Sequence, residues 1–202
     1  MQRRRWFHHG NERMVLVCSR FVYKFAIEPR AWLRRITRSA AFCATELRRN
    51  SRFNPTRYLR ASLGLAWHCQ QKALASNRRE YRLSGSPLRA WIAPVRISFN
   101  GFCIVAERAT MIRADDEAGY AHICRIRDRV VRLWRAQYPD RDLDEIVSDL
   151  YHTFHDSNFG YLDGRLVLVD YGAEALEMLF LAAPDEFLRC FEEAAAAAPV
   201  RT

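Results

Sequence analysis

One stretch, H-D-S-N-F-G-Y-L-D-G-R-L-V-L-V-D-Y-G at residues 155–172, constrains what this chain can fold into more than any other. Phe159–Leu162 and Arg165–Val169 are short apolar runs with strand character. Asp163-Gly164 between them is the two-residue pair that favours a type I′ hairpin, because both central residues of that turn need φ > 0. With that turn, Leu162 faces Arg165 and Tyr161 faces Leu166, and the ladder runs back to Asn158 opposite Val169. Asn158 and Asp170 therefore meet at the open end of the hairpin. An amide oxygen beside a carboxylate is a hard-oxygen pair of the kind Mg²⁺ takes.

The 202 residues suffice for one large domain or two small lobes, and the 50% apolar content suits a packed protein. No apolar run reaches the length of a membrane span, and the basic start MQRRRWFHHG lacks the apolar core of a secretory signal. Six cysteines without CxxC spacing (Cys18, Cys43, Cys69, Cys103, Cys124 and Cys190) read as reduced core thiols, which points to a cytoplasmic protein without a membrane partner.

Charge is divided unevenly. Residues 1–113 hold 23 Lys and Arg against 5 Asp and Glu, whereas residues 114–202 hold 9 against 18. A basic front and an acidic back suggest lobes with different partners. Only Lys24 and Lys72 among the 32 basic residues are lysines. A chain that uses arginine almost everywhere keeps a lysine inside F-V-Y-K-F-A, and a compact point charge is not interchangeable with a guanidinium. Lys24 is therefore a candidate functional residue.

Along the chain, Met14–Val17 and Arg20–Ala26 read as strands, and Ala31–Asn50 as a helix with Trp32, Ile36, Ala40, Cys43 and Leu47 on its inward stripe. A second helix starts at Asn54-Pro55 and runs to about Ala75, and the polar segment 76–90 reads as a loop. Val95–Ser98 and Phe102–Ala106 form a hairpin around Asn100-Gly101. Glu117–Tyr138 is a helix with Ile123, Ile126, Val130 and Leu133/Trp134 inward. Leu143–Leu150 is a second amphipathic helix, and a last one opens at Pro184 with Phe187, Leu188 and Phe191 inward. The expected class is α+β: a small β-rich N-terminal lobe (1–112) and a mainly helical C-terminal lobe (113–202).

Val22-Tyr23-Lys24 on a front strand, a helix acid some twenty residues on (Glu46), and Asn158 with Asp170-Tyr171-Gly172 on a back hairpin follow one another in an order that resembles the protein-kinase-like fold. The resemblance is closest to the short kinase-like proteins of phages and prophages. It implies ATP and Mg²⁺ as cofactors. Lys24 would pair with the phosphates and be held by Glu46, with Glu28 as a rival partner. Glu107 would stand where the backbone meets adenine, and Asn158 and Asp170 would hold the metal. The substrate would be a protein hydroxyl, and the C-terminal lobe is truncated. No glycine-rich lid precedes Lys24, and Thr153 stands where the family has its catalytic aspartate. A threonine cannot take up the substrate proton near neutral pH; Asp156, or Asp149 after a bend in the loop, would have to substitute. The same features therefore also fit a catalytically inactive pseudokinase that binds a regulatory or host partner. Two weaker readings remain. His152 and His155 have zinc-like spacing without further ligands nearby. The arginines at 34, 35, 38, 48, 49, 52, 57 and 60 could track a nucleic-acid backbone, but no nucleic-acid-binding motif accompanies them.

Overall fold

A computed structural model describes residues 5–9, 13–26, 29–50, 52–140 and 150–196. The class is α+β, with a small antiparallel sheet towards the N-terminus followed mostly by helices. Strands β1 (Arg5–His9), β2 (Arg13–Val17), β3 (Phe21–Phe25), β4 (Val95–Phe99) and β5 (Cys103–Glu107) make one sheet in the order β1-β2-β3-β5-β4. Between β3 and β4 lie two helices, α1 (Pro29–Arg49) and α2 (Pro55–Ser84). Each starts at a proline, which loses nothing at a first turn where the N–H is unpaired anyway. The Asn54 side chain caps α2 by accepting from the Arg57 amide at 3.0 Å.

The second half contains β6 (Thr110–Met111), α3 (Glu117–Gln137), the hairpin β7 (Phe159–Leu162) and β8 (Arg165–Leu168), then α4 (Glu174–Ala182) and α5 (Pro184–Ala196). The hairpin has the expected register, Leu162 opposite Arg165 and Tyr161 opposite Leu166. Its turn residues Asp163 (φ 50°) and Gly164 (φ 77°) both lie in the left-handed region, as do Asn100 and Gly101 between β4 and β5. One apolar core runs across the 112/113 boundary, joining Leu88, Ile92 and Ile104 to Ile126, Trp134, Phe154, Phe159, Tyr171 and Phe187. Leu188 packs at its edge. Among the described residues, no helix is long and apolar enough to cross a membrane.

Three expectations change. The segment 76–84, read as loop, is the end of α2, and the chain then forms a short 3₁₀ turn at Pro87–Ala90. Its polar residues are not solvated, because Asn77 and Glu80 are fully buried among partners described below. Of the expected α1 stripe, Cys43 faces inward but Ile36, Ala40 and Leu47 do not. The seam against α2 follows Arg35, Ser39, Cys43 and Glu46, with a Ser39–Ser62 hydroxyl contact of 2.7 Å, while Ile36 and Leu47 are exposed. The cysteines are unpaired, but only Cys43 and Cys190 are buried. The expected helix 143–150 lies, up to residue 149, outside the described residues, as does the side chain of Trp32.

Candidate functional site

The site forms where β2, β3, the second half of α2 and the end of the β7–β8 hairpin meet. Side chains alternate along a strand, and Lys24 takes the inward position of β3, 6% exposed. Its Nζ donates to Glu80 Oε2 at 2.6 Å and to the Val169 carbonyl at 2.6 Å, and lies 3.9 Å from Asp170 Oδ1. The Tyr171 ring centroid is 5.9 Å away.

Lys24 thus takes a helix acid as partner, but that acid is Glu80 and not Glu46. The reason lies in how the two helices pack. α1 lies along α2, with Glu46 half-buried on that seam, whereas α2 itself packs on the sheet and brings Glu80 under Lys24. Glu28 lies outside the described residues.

A fourth charged group, Arg13, was not anticipated. Val15 stands opposite Lys24 in the ladder, so Arg13, two residues earlier, shares its sheet face. Arg13 Nη1 donates to Glu80 Oε1 at 2.5 Å and to Asn77 Oδ1 at 3.2 Å, and Nη2 donates to Asp170 Oδ1. The alternation of R-M-V on β2 was the available signal, hidden in a chain full of arginines. Asn77 completes the frame, donating to the carbonyls of Gly101 (2.8 Å) and Lys24 (3.2 Å), which ties α2 to two strands.

Two cations and two anions therefore share one largely buried centre. Such a group depends on its members together, because Lys24, Arg13 and Glu80 have lost most of their water and rely on one another and on Asp170. Burial would raise the Asp170 carboxyl, but Arg13 and Lys24 outweigh it and hold the group well below the usual carboxylate range. Burial likewise disfavours the Arg13 charge, and Asp170 and Glu80 more than restore it.

Asp170-Tyr171-Gly172 is fixed from both sides. The buried Tyr171 hydroxyl donates to the Ala93 carbonyl at 2.7 Å. Gly172 lies so close to α2 that a Cβ there would stand 1.9 Å from Ser76 Oγ. Asn158 sits beside this segment, since the Val169 amide donates to its carbonyl at 2.7 Å. Its side-chain Nδ2 donates to the carbonyls of His152 (2.8 Å) and Thr153 (3.2 Å), and its Oδ1 has no hydrogen-bond partner among the described residues. Asn158 and Asp170 fit Mg²⁺ as oxygen ligands; Arg13 is the cation that now holds one Asp170 oxygen.

Other expected residues lie apart from this centre. The Asp156 carboxylate accepts from Tyr120 Oη (2.8 Å) and the Ser157 amide (2.8 Å) and contacts His155 Nδ1. The Tyr120 hydrogen bond is the main reason its carboxyl is lowered from the ordinary value. Thr153 is buried. Asp149 lies outside the described residues. The Glu107 amide donates to the Pro94 carbonyl at 2.9 Å, and its carboxylate pairs with Arg96. Among the described residues, no cluster of three His, Cys, Asp or Glu side chains could hold a metal, so His152 and His155 have no zinc-completing neighbours there. Compared with protein-family models, curated proteins and solved structures, the chain matches none.

Proposed function

We propose that this is a protein-kinase-like protein that binds ATP with Mg²⁺ at the centre formed by Lys24, Glu80 and Asp170. One observation carries the reading. A strand lysine and a helix glutamate 56 residues apart form a 2.6 Å ion pair that touches the aspartate of an Asp-Tyr-Gly segment. That is the combination of lysine, helix acid and metal-binding aspartate on which phosphate handling of this type depends. Lys24 supplies a compact charge for the phosphates, Glu80 holds it in position, and Asp170 and Asn158 offer the oxygen ligands. Mg²⁺, when bound, offsets phosphate charge. Glu107, the last residue of β5 where the chain leaves the sheet, is the proposed contact for the base.

A second reading has its own observation. Thr153 is buried and the Asp156 carboxylate is engaged by Tyr120 and His155, so neither offers an uncommitted base for a protein hydroxyl. This favours a pseudokinase, a binding module with the same site, over phosphoryl transfer.

Calorimetric titration of ATP into the wild-type chain and Asp170→Asn, with and without Mg²⁺, tests the proposal. Saturable binding that needs both Mg²⁺ and Asp170 is expected. No heat at millimolar ATP would remove the nucleotide reading. Transfer of labelled phosphate to a protein acceptor would remove the pseudokinase reading.

A further inference from the structure

Arg13 stands where the proposed metal has to go, and has no part in the function proposed above. Its guanidinium is held at both arms. Nη1 donates to Glu80 Oε1 at 2.5 Å and to Asn77 Oδ1 at 3.2 Å, and Nη2 donates to Asp170 Oδ1. The two acceptors of Nη1 are wholly inaccessible, whereas Asp170, at the Nη2 end, is about a third exposed. The guanidinium is therefore anchored at its inner arm and reaches the open side of the site with its outer one.

This arrangement limits what can bind at Asp170. Its Oδ1 already accepts from Arg13 and lies 3.9 Å from Lys24 Nζ. The two cations and two anions leave the empty centre neutral. A bare divalent ion would have to push Nη2 off Asp170, and three positive groups would then crowd one carboxylate. The displaced arm would be left without an acceptor on a side chain only 12% exposed. A metal that arrives with a polyphosphate meets neither obstacle. Phosphate oxygens accept a charge-assisted hydrogen bond from the released Nη2, and their charge offsets both the metal and Lys24. Nη1 keeps its hold on Glu80 and Asn77 throughout, so the arm changes acceptor without leaving the site. Gly10 is the only glycine before Lys24, so no glycine-rich run offers backbone donors to those oxygens.

We propose that Arg13 is the resident cation of this site: it neutralises Asp170 while the site is empty and yields that oxygen to Mg²⁺ only when a polyphosphate takes over its Nη2. On the reading proposed above, on which this rests, the site selects a metal–polyphosphate complex and refuses the free metal ion.

The test is equilibrium dialysis of Mn²⁺, which shares the oxygen preference of Mg²⁺, against the full chain. The wild type is expected to take up no Mn²⁺ alone at up to about 1 mM. With inorganic tripolyphosphate present it should bind the metal at least about tenfold more tightly, and Asp170→Asn should lose this uptake. Arg13→Gln keeps amide donors for Glu80 but not the charge. It is expected to bind bare Mn²⁺ at least about tenfold more tightly than the wild type, a gain that Arg13→Gln/Asp170→Asn loses. Wild-type uptake of bare Mn²⁺ as tight as with tripolyphosphate would overturn the proposal without any variant. So would an Arg13→Gln that melts cooperatively and takes up no more bare metal than the wild type. Uptake with tripolyphosphate retained in Asp170→Asn would overturn it in favour of adventitious binding to surface arginines. ATP in place of tripolyphosphate separates the two readings. Uptake with tripolyphosphate but not with ATP would remove the nucleotide site and leave Arg13 its role, whereas uptake with ATP and no gain in Arg13→Gln would do the reverse.

Discussion

The two halves of α2 are built on opposite rules. Its last dozen residues bury polar side chains, with Asn77 and Glu80 wholly inaccessible, while its first half exposes Leu63, Leu65 and Trp67. One continuous helix thus hides what water would solvate and displays what water rejects. The difference lies in what each half packs against. The C-terminal half meets a sheet and a hairpin that supply Arg13, Lys24 and the Gly101 carbonyl as partners, and a buried polar group with partners is tolerated. The N-terminal half packs along α1, on a seam that leaves its larger side chains exposed. Hydropathy alone describes neither half.

The contrast can be broken most sharply at Glu80. Glu80→Ala leaves Lys24 and Arg13 buried without their shared anion and is expected to cost about 3–5 kcal/mol in denaturant unfolding. Trp67→Ala on the same helix should stay within about 0.5 kcal/mol. Equal effects would mean that the two halves do not differ as described. A smaller loss is expected for Gly172→Ala, where the new methyl meets Ser76 on the buried half of α2. The overpacking costs about 1–3 kcal/mol, read from the melting temperature. A neutral result would show that the hairpin can withdraw from the helix.

The smallest effect is a pH dependence. The Asp170 carboxyl is depressed in the folded state, so its contribution is fully present above the ordinary aspartate value of about 3.9 and is lost as pH falls from there towards the folded value. Asp170 is about a third exposed, which screens the contribution and leaves it at about 1 kcal/mol or less. Urea unfolding between pH 6 and about 2.5 should show a shallower acid decline in Asp170→Asn than in the wild type. Parallel curves would detach Asp170 from its two cations.

What the sequence made legible follows from how local each signal is. Asp163-Gly164 and Asn100-Gly101 announce their hairpins because the backbone requirement sits in the two residues themselves. From the first hairpin, the neighbourhood of Asn158 and Asp170 follows by counting. Lys24 was visible through its rarity. Glu80 was not, because S-N-R-R-E-Y-R-L is polar enough to read as loop, and its partners come from distant residues 13 and 24. Glu46 stood in its place as the helix acid nearest in sequence to Lys24. The stripe of α1 misled for the converse reason: apolar spacing locates a helix face but not what covers it.

Arg13 and Asp170, joined through one guanidinium, are 157 residues apart along the chain. The ribosome releases Arg13 long before Asp170, so the charged centre closes only after all the residues between them have been made. Until then, Lys24 and Glu80 can pair, but Arg13 lacks the carboxylate that completes its set. A nascent chain stalled before the β7–β8 hairpin carries the sheet and the long helix without Asp170, and its charged centre stays incomplete.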